Sequence, residues 1–182
     1  MSQTPDIFPG ELLEHLAREP SNRQWWAIYT MSRQEKSLAR DLFTRKIPYY
    51  LPLIRSTNVY RGRRVSSYKP LFTSYVFLFG TELERVESLK TNRISRILEV
   101  HDPEALIRDL AQLQRLILSG APLTVEDRLT TGDRVRIKSG SMAGLEGTVI
   151  KRHGETRLLV SVDFLQKGAS IAIDDFQVAP LV

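Results

Sequence analysis

"RIKSGSMAGLEGTVI", residues 136–150, places three glycines, Gly140, Gly144 and Gly147, within eight positions. Such a cluster is typical of a phosphate-binding loop or of a tight turn between two strands. A Walker loop needs Gly, four further residues and then Gly-Lys-Ser or Gly-Lys-Thr, and no lysine occupies that position here. The last glycine leads into "TVI", which favours a strand, whereas a dinucleotide-binding loop leads into a helix. We therefore interpret the cluster as a turn in a small barrel.

The residues around this turn predict a small all-β domain at the C-terminal end of the sequence. Five short segments after Thr131 are rich in strand formers and are separated by turn residues. These segments are "DRVRIK", "GTVIKR", "TRLLVSV", "ASIAI" and "FQVAP". So short an all-β segment predicts a small barrel over residues 131–182.

The N-terminal half predicts a mixed α+β domain. "WWAIYT" (25–30), "SYVFLF" (74–79) and "ISRILEV" (94–100) are typical of strands, and the first of them is interpreted as a buried strand. "YRGRRV" places Gly62 at the tip of a predicted hairpin. The order strand, helix, strands, helix, strand indicates a sandwich with one sheet and its helices on one face.

Helix start signals mark the predicted helices. Ser32 with Glu35, and Thr81 with Glu84, have the capping-box spacing. "DPEALIRDLAQLQRLILSG" predicts a third helix, which Gly120 ends. "GELLEHLA" predicts two helical turns with Leu12, Leu13 and Leu16 on one side. In the helix after Thr81, the side chains expected to face inward are Leu83, Val86 and Leu89.

Four segments follow from these patterns. They are an N-terminal extension (1–23), the mixed domain with its last helix (24–119), a linker (120–130) and the small barrel (131–182).

Composition narrows the class of protein. The chain of 182 residues has 42% hydrophobic residues, which is enough for a core, and no cysteine, which excludes disulfides, thiolate nucleophiles and cysteine-bound metals. No apolar run approaches the ~18 residues that a membrane helix needs. The first residues contain acids and no basic start before an apolar block, so we expect a cytoplasmic protein without a signal peptide.

Positive charge is concentrated in one part of the chain. Residues 42–81 contain no Asp or Glu and seven Lys or Arg residues, whereas the net charge of the whole chain is +5. A basic stretch of this kind attracts nucleic acid or an acidic protein surface, or is a solvated face without a partner. The three arginines around the predicted hairpin tip are Arg61, Arg63 and Arg64.

Both halves carry the pattern of one known family. Residues 132–178 resemble a KOW module of the NusG type. "WWAIYTMSRQEKSLARDLF" resembles the opening strand and helix of the NusG N-terminal (NGN) domain, and "KPLFTSYVFLF" resembles its most recognisable strand. "YRGRRVSSYKPLF" is more similar to the specialised RfaH-like paralogs than to housekeeping NusG. The resemblance covers residues 24–182 and implies a transcription elongation or antitermination factor, expected to be a monomer.

The resemblance implies that the NGN domain binds the clamp helices of RNA polymerase, through an apolar patch that we expect to be exposed. Because side chains alternate along a strand, Tyr75 and Phe77 share one face, and Val76 and Leu78 share the other. From the residues alone, a core position under the helices of the domain is favoured for these aromatics, and it is the resemblance that favours a contact surface. The candidate polymerase-binding residues are Phe72, Tyr75, Phe77, Tyr49 and Tyr50.

The resemblance also implies a surface for the non-template DNA strand. The RfaH-like branch carries a basic pair after the first strand, where this chain has Met31 and Ser32. The resemblance therefore does not predict which DNA sequence would recruit this protein. We expect Arg33, Lys36 and Arg40 to share a helix face. The candidate nucleic-acid-binding residues are Arg33, Gln34, Lys36, Arg40 and Arg93, with Arg61, Arg63 and Arg64 of the hairpin.

The KOW module implies a recruiting surface for the termination factor Rho or for a small-subunit ribosomal protein. The loop residues that match it are Met142, Leu145, Phe164 and Leu165. Phe164 and Leu165 are equally compatible with filling the barrel. The intact glycines and β-branched alternation predict that this module stays a barrel.

The sequence does not predict catalysis, a cofactor or a metal. His15, His101 and His153 are not at metal-ligand spacing, and Asp174 and Asp175 as strand neighbours point to opposite faces. Two alternatives to an RfaH-like factor stay open. One is a ribosome- or RNA-binding KOW protein whose basic hairpin grips RNA, and the other is housekeeping NusG.

Overall fold

The computed structural model describes residues 4–14, 21–128, 131–173 and 177–181. The chain divides into two compact units, Met1–Pro103 and Glu104–Val182. The helices of the described chain are α1 (Glu35–Thr44), α2 (Glu82–Leu89) and α3 (Pro103–Leu118). The strands of the first unit are β1 (Ile7–Phe8), β2 (Gln24–Thr30), β3 (Tyr49–Tyr50), β4 (Leu53–Tyr60), β5 (Arg63–Pro70), β6 (Tyr75–Gly80) and β7 (Ile94–Glu99).

The first unit contains a five-stranded antiparallel sheet in the order β1-β3-β6-β2-β7. Its core lies where α1 covers one face of the sheet. Leu38 and Leu42 of α1 pack in one cluster with Ile28 of β2 and with Val76 and Leu78 of β6. The predicted alternation is therefore confirmed, because Val76 and Leu78 share the face that α1 covers. The mixed α/β character predicted for this half of the chain is confirmed as well.

The two predicted capping boxes have different outcomes. At α2 the Thr81 side chain accepts the Glu84 N–H, and the Glu84 carboxylate accepts the Thr81 N–H at 2.7 Å, as predicted. At α1 the prediction is wrong, because Gln34 is the N-cap and no side chain caps the helix. The Glu35 carboxylate is buried and accepts the Ser74 N–H at 2.7 Å instead. Burial of a carboxylate requires such a partner, and the turn before β6 provides it.

The inward stripe predicted for α2 is also wrong. Leu83, Val86 and Leu89 are exposed, Leu83 by 79%, while Ser88 is buried. The side of α2 that meets the sheet is polar, since the Arg85 guanidinium lies 5.3 Å from the ring centre of Trp26. Cation–π contact and the capping box have fixed the orientation of this short helix in place of an apolar stripe.

The N-terminal extension packs onto the first unit. β1 pairs with β3, and the Leu51 N–H donates to the Asp6 carbonyl at 2.7 Å. Leu12 and Leu13 are buried, but residues 9–14 form turns, so the predicted helix is not found in the described part. Leu16 lies outside the described residues.

The second unit contains a six-stranded antiparallel sheet. Its strands are β8 (Thr124–Glu126), β9 (Arg134–Ile137), β10 (Glu146–Arg152), β11 (Glu155–Val162), β12 (Lys167–Ala172) and β13 (Val178–Pro180). The order is β13-β9-β10-β11-β12-β8, so the five predicted strands are confirmed. Among the described residues the edge strands β13 and β8 do not pair, so the sheet is not shown to close into a barrel.

The glycine cluster of residues 140–147 forms a turn and a close backbone contact, as the interpretation of it as a turn between strands predicts. Gly140 and Gly144 have φ of 85° and 82° in the connection between β9 and β10. Gly147 lies within β10, where a Cβ atom would stand 2.4 Å from the Leu159 carbonyl oxygen. Side chains would strain the backbone at the first two positions and collide at the third.

β8 lies within the segment predicted as a linker and pairs with β12. Ser170 Oγ donates to the buried Glu126 carboxylate at 2.7 Å, and Arg157 Nε donates to Ser170 Oγ at 2.9 Å. Arg157 Nη2 also donates to Thr124 Oγ1 at 2.8 Å. This buried network binds β8 to the edge of the second sheet.

Helix α3 falls within the second unit, whereas the sequence placed it in the first domain. Its polar side chains contact the turn between β9 and β10 and the first residue of β10. Arg115 Nη2 donates to the Ala143 carbonyl at 2.7 Å, and Gln112 Oε1 accepts the Glu146 N–H at 3.2 Å. The segment boundaries expected from the sequence remain a prediction.

Candidate functional site

Most of the predicted aromatic patch is buried. Phe72, Tyr49 and Tyr50 are buried, and on β6 the neighbours Val76 and Phe77 are both 0% exposed. The expected exposure of Phe72, Phe77, Tyr49 and Tyr50 is therefore wrong. β6 is an inner strand that is buried on both faces, and alternation identifies the residues of a face without showing whether that face is covered. The part these four residues play at a polymerase surface remains a prediction.

Tyr49 has a structural role in the first unit. Its hydroxyl donates to the Pro5 carbonyl at 2.6 Å, and its ring belongs to the core cluster under α1. Burial raises the pKa of Tyr49 and of Tyr50, with a further contribution from the charge of Asp6. Both phenols therefore stay neutral at any physiological pH.

A partly exposed aromatic pair stands at the end of β2 and β6. Tyr75, the half-buried member of the predicted patch, is directly opposite Tyr29 in the sheet. The ring centres are 5.2 Å apart and the rings meet edge to face at 70°. Tyr29 is 38% exposed, and the neighbouring Met31 is 50% exposed. We call Tyr29 and Tyr75 the tyrosine pair.

Buried polar contacts hold the tyrosine pair in place. Ser74, which precedes Tyr75, has a φ of 65°, and its N–H donates to the buried carboxylate of Glu35. The Ser74 carbonyl in turn accepts the Thr30 N–H at 2.8 Å. A carboxylate of α1 thus fixes the turn from which Tyr75 emerges. Sequence reasoning missed Tyr29 because it treated the whole of "WWAIYT" as buried.

The predicted nucleic-acid face of α1 is only partly assembled. The helix begins at Glu35, so Arg33, with a φ of 60°, and Gln34 precede it. The expectation that Arg33 shares a helix face with Lys36 and Arg40 is therefore wrong. Arg33 and Arg40 are exposed, and the Lys36 ammonium donates to the Tyr68 carbonyl at the base of the hairpin.

Arg93 is bound within the first unit. Its Nε donates to Asp41 Oδ2 at 2.7 Å and its Nη1 donates to Gln34 Oε1 at 2.6 Å. Asp41 compensates its charge, and Gln34 is engaged by the same guanidinium. A phosphate would have to compete with these partners, so Arg33 and Arg40 are the better placed residues of this set.

The predicted hairpin is confirmed and is highly exposed. β4 and β5 form a two-stranded sheet, and the turn between them has φ of 49° at Arg61 and 76° at Gly62. Two left-handed residues in a row are the turn type that matches the twist of a two-residue hairpin. Arg61, Arg63 and Arg64 are all exposed at its tip.

The predicted recruiting residues of the second unit differ in exposure. Leu145 is buried, so its expected exposure is wrong, because its carbonyl accepts the Ile137 N–H and holds it beside β9. Met142 and Leu165 are half-buried, and Phe164 is exposed in a short 3-10 turn at Asp163–Leu165.

No group of three or more His, Asp or Glu side chains that could hold a metal occurs within residues 4–14, 21–128, 131–173 and 177–181. His15 and the pair Asp174 and Asp175 lie outside those ranges. In the same part of the chain no helix is long and apolar enough to cross a membrane.

Comparison with known proteins defines the class. The family model described as "NusG: Transcription termination factor nusG" matches residues 23–128, which is more than half of the chain. This match identifies a transcription factor that acts during elongation and not an enzyme, as the sequence predicted. The chain belongs to the NusG family.

A solved structure is also similar. The chain is 18% identical to a chain of the structure described as "Crystal Structure of MjSpt4:Spt5 complex conformation B". The likeness covers 87% of this chain and 97% of that chain, with a TM-score of 0.28. At that score the likeness supports no functional conclusion.

Proposed function

We propose that this protein is a cytoplasmic, RfaH-like antitermination factor that binds RNA polymerase during elongation and suppresses pausing and termination. The observation that carries the proposal is the family match over residues 23–128. Those residues include the main strands β2, β6 and β7 of the first sheet, the tyrosine pair and the basic hairpin.

The tyrosine pair and Met31 are the proposed contact with the clamp helices of the polymerase. Tyrosine is enriched at the centres of protein interfaces because its ring buries a large area with little loss of entropy. Tyr29 is exposed and Tyr75 is half-buried, and the buried Glu35 contact holds the turn before Tyr75 in place before a partner arrives. Of the residues expected from the sequence, we retain Tyr75 in this proposed role, because its side chain is not fully buried.

Arg33 and Arg40 are the proposed contacts with phosphates of the non-template DNA strand. Contacts of this kind give affinity without sequence information and make binding dependent on salt. Both side chains are exposed on the unit that carries the tyrosine pair.

The second unit is proposed as an SH3-like KOW barrel that recruits Rho or a small-subunit ribosomal protein. The order of its five core strands and the glycine turn between β9 and β10 support a KOW module. Phe164 is exposed and Met142 and Leu165 are half-buried, so these three are the accessible apolar side chains among the residues expected to bind the partner.

Transcription in vitro tests the proposal. Elongating core polymerase would transcribe a template with a pause site and a Rho-dependent terminator, with and without the protein. We expect shorter pauses and more read-through. Unchanged pausing and read-through would contradict the proposal, and increased Rho-dependent termination would instead support housekeeping NusG.

A ribosome- or RNA-binding role is the second candidate, because the basic hairpin would also grip ribosomal RNA. Recovery of ribosomal subunits without core polymerase, from a lysate passed over the immobilised full-length protein, would favour this candidate.

A further inference from the structure

The β4–β5 hairpin is a ribbon that is exposed on both faces. Every residue from Arg55 to Lys69 is exposed except Ser56, which is half-buried. Within the described part of the chain, the two strands pair only with each other, from Leu53 with Pro70 to Tyr60 with Arg63. A ribbon that packs little of its surface against its own domain is available to a ligand.

Each exposed tyrosine of the ribbon has an arginine as its direct cross-strand partner. Tyr60 is opposite Arg63 at the tip, and Tyr68 is opposite Arg55 at the base. Tyr60 is 64% exposed and Tyr68 is 53% exposed. Because side chains alternate along β4, the two pairs lie on opposite faces of the ribbon.

The charge of the tip is not neutralised by the ribbon itself, since residues 42–81 contain no Asp or Glu. The guanidinium carbon of Arg61 lies 5.3 Å from the ring centre of Tyr60. Arg63 and Arg64 are exposed beside it. The tip thus combines an accessible aromatic ring with three cations.

We propose that this tip, formed by Tyr60, Arg61, Arg63 and Arg64, binds single-stranded DNA by stacking a base on Tyr60 while the arginines contact the adjacent phosphates. An aromatic ring needs an unstacked base, which a single strand offers and an intact duplex does not. The choice of DNA rests on the proposed function, in which the protein meets the displaced strand at the elongating polymerase. Because stacking and charge come from different side chains, substitutions can remove one contribution to binding and keep the other.

Fluorescence anisotropy with the full-length protein tests the site. The probes are a fluorescein-labelled twelve-nucleotide oligo-dT, the same strand annealed to oligo-dA, and oligo-U of the same length. We expect oligo-dT to bind most tightly. Tyr60→Ala should weaken its binding by about 5- to 100-fold, whereas Tyr60→Phe should stay within about twofold of wild type.

Salt dependence separates stacking from charge. Log affinity falls with log salt, and Arg63→Ala should make this negative slope shallower by about 0.7, the value for one phosphate of a single strand. Tyr60→Ala should leave the slope unchanged. Lys151→Ala is the matched control, because it removes one exposed cation from the second unit. Its affinity for oligo-dT should stay within about twofold of wild type.

Three results of the comparisons between variants and between probes would overturn the inference. They are wild-type affinity in folded Tyr60→Ala, equal binding of duplex with the same dependence on Tyr60, and tighter binding of oligo-U than of oligo-dT. Absence of oligo-dT binding would overturn it as well. The assay contains no polymerase, so such a failure leaves polymerase binding untouched. A loss of core polymerase binding in Tyr60→Ala without an effect on oligo-dT would assign the tip to a protein surface.

Discussion

The structural role of a single residue can differ from the role that its local sequence motif predicts. Glu35 looks like a capping residue, yet it is buried and accepts the backbone N–H of Ser74, 39 positions away. This contact ties the start of α1 to the turn before Tyr75. A residue that fits a local motif in the sequence can thus serve a distant segment, because burial makes a long-range partner obligatory.

Removal of the Glu35 carboxylate should destabilise the first unit. We expect Glu35→Ala to lower the free energy of unfolding by about 2 kcal/mol, the range for a buried hydrogen bond to a charged group. Chemical denaturation measures the change, and Glu99→Ala, at an exposed carboxylate on β7, is the control that should change stability by less than about 0.5 kcal/mol. An equal effect of the two substitutions would contradict the assignment.

Glu84 gives a prediction about pH. Burial of its carboxylate acts to raise its pKa, but the hydrogen bonds from Arg23 and Thr81 outweigh burial, so the pKa is lowered. A carboxyl group whose pKa is lower in the folded state stabilises the fold above its unfolded pKa, and this contribution is lost as pH falls through the folded pKa. We expect Glu84→Gln to cost about 1 kcal/mol at neutral pH and less below pH ~4.

Unfolding of wild type and Glu84→Gln at neutral and acidic pH measures that difference. Glu104→Gln, at an exposed carboxylate in the first turn of α3, is the matched control and should show a smaller difference at every pH. A constant gap between wild type and Glu84→Gln across the pH range would argue against the charged cap.

Among the elements, the hairpin shows how far local rules reach. "YRGRRV" predicted both the strands and the turn because Gly tolerates the left-handed backbone that such a turn requires. The capping box at Thr81 and the helix ending before Gly120 were equally local signals, and the structure agrees with both.

Elements decided by packing were not predictable. The orientation of α2 follows from Arg85 over Trp26, a contact between segments that are distant in the sequence. β8 has only three residues. So short a run does not indicate a strand, and the sequence predicts a linker at this position. Burial of Phe77 depends on what covers the second face of its strand, and a strand's own residues do not encode that. The candidate surface therefore shifted from the predicted patch to the tyrosine pair.

Helix α3 gives a prediction at the scale of an element. Since Gln112 Oε1 accepts the Glu146 N–H, Gln112→Ala should speed hydrogen exchange of the Glu146 amide by about two- to tenfold. Hydrogen exchange followed by NMR measures this rate. Gln114→Ala, two positions along the same helix, is the control and should leave it unchanged. Equal rates in wild type and Gln112→Ala would show that α3 does not hold the start of β10.

For the whole molecule, membership of the NusG family depends on a match that spans residues 23–128. The first unit carries two candidate binding surfaces, the tyrosine pair and the exposed ribbon. They divide the proposed work, because an aromatic pair without charge suits a protein partner and a basic ribbon suits a nucleic acid.

The affinity of core RNA polymerase for the immobilised full-length protein tests the account most directly. We predict that wild type binds and that Tyr29→Ala with Tyr75→Ala weakens binding by about tenfold or more while the thermal midpoint shows that the variant is folded. Tyr60→Ala, which removes an exposed tyrosine from the ribbon, should bind polymerase as wild type does. Wild-type affinity in the folded double variant, or no binding by the wild-type protein, would contradict the account.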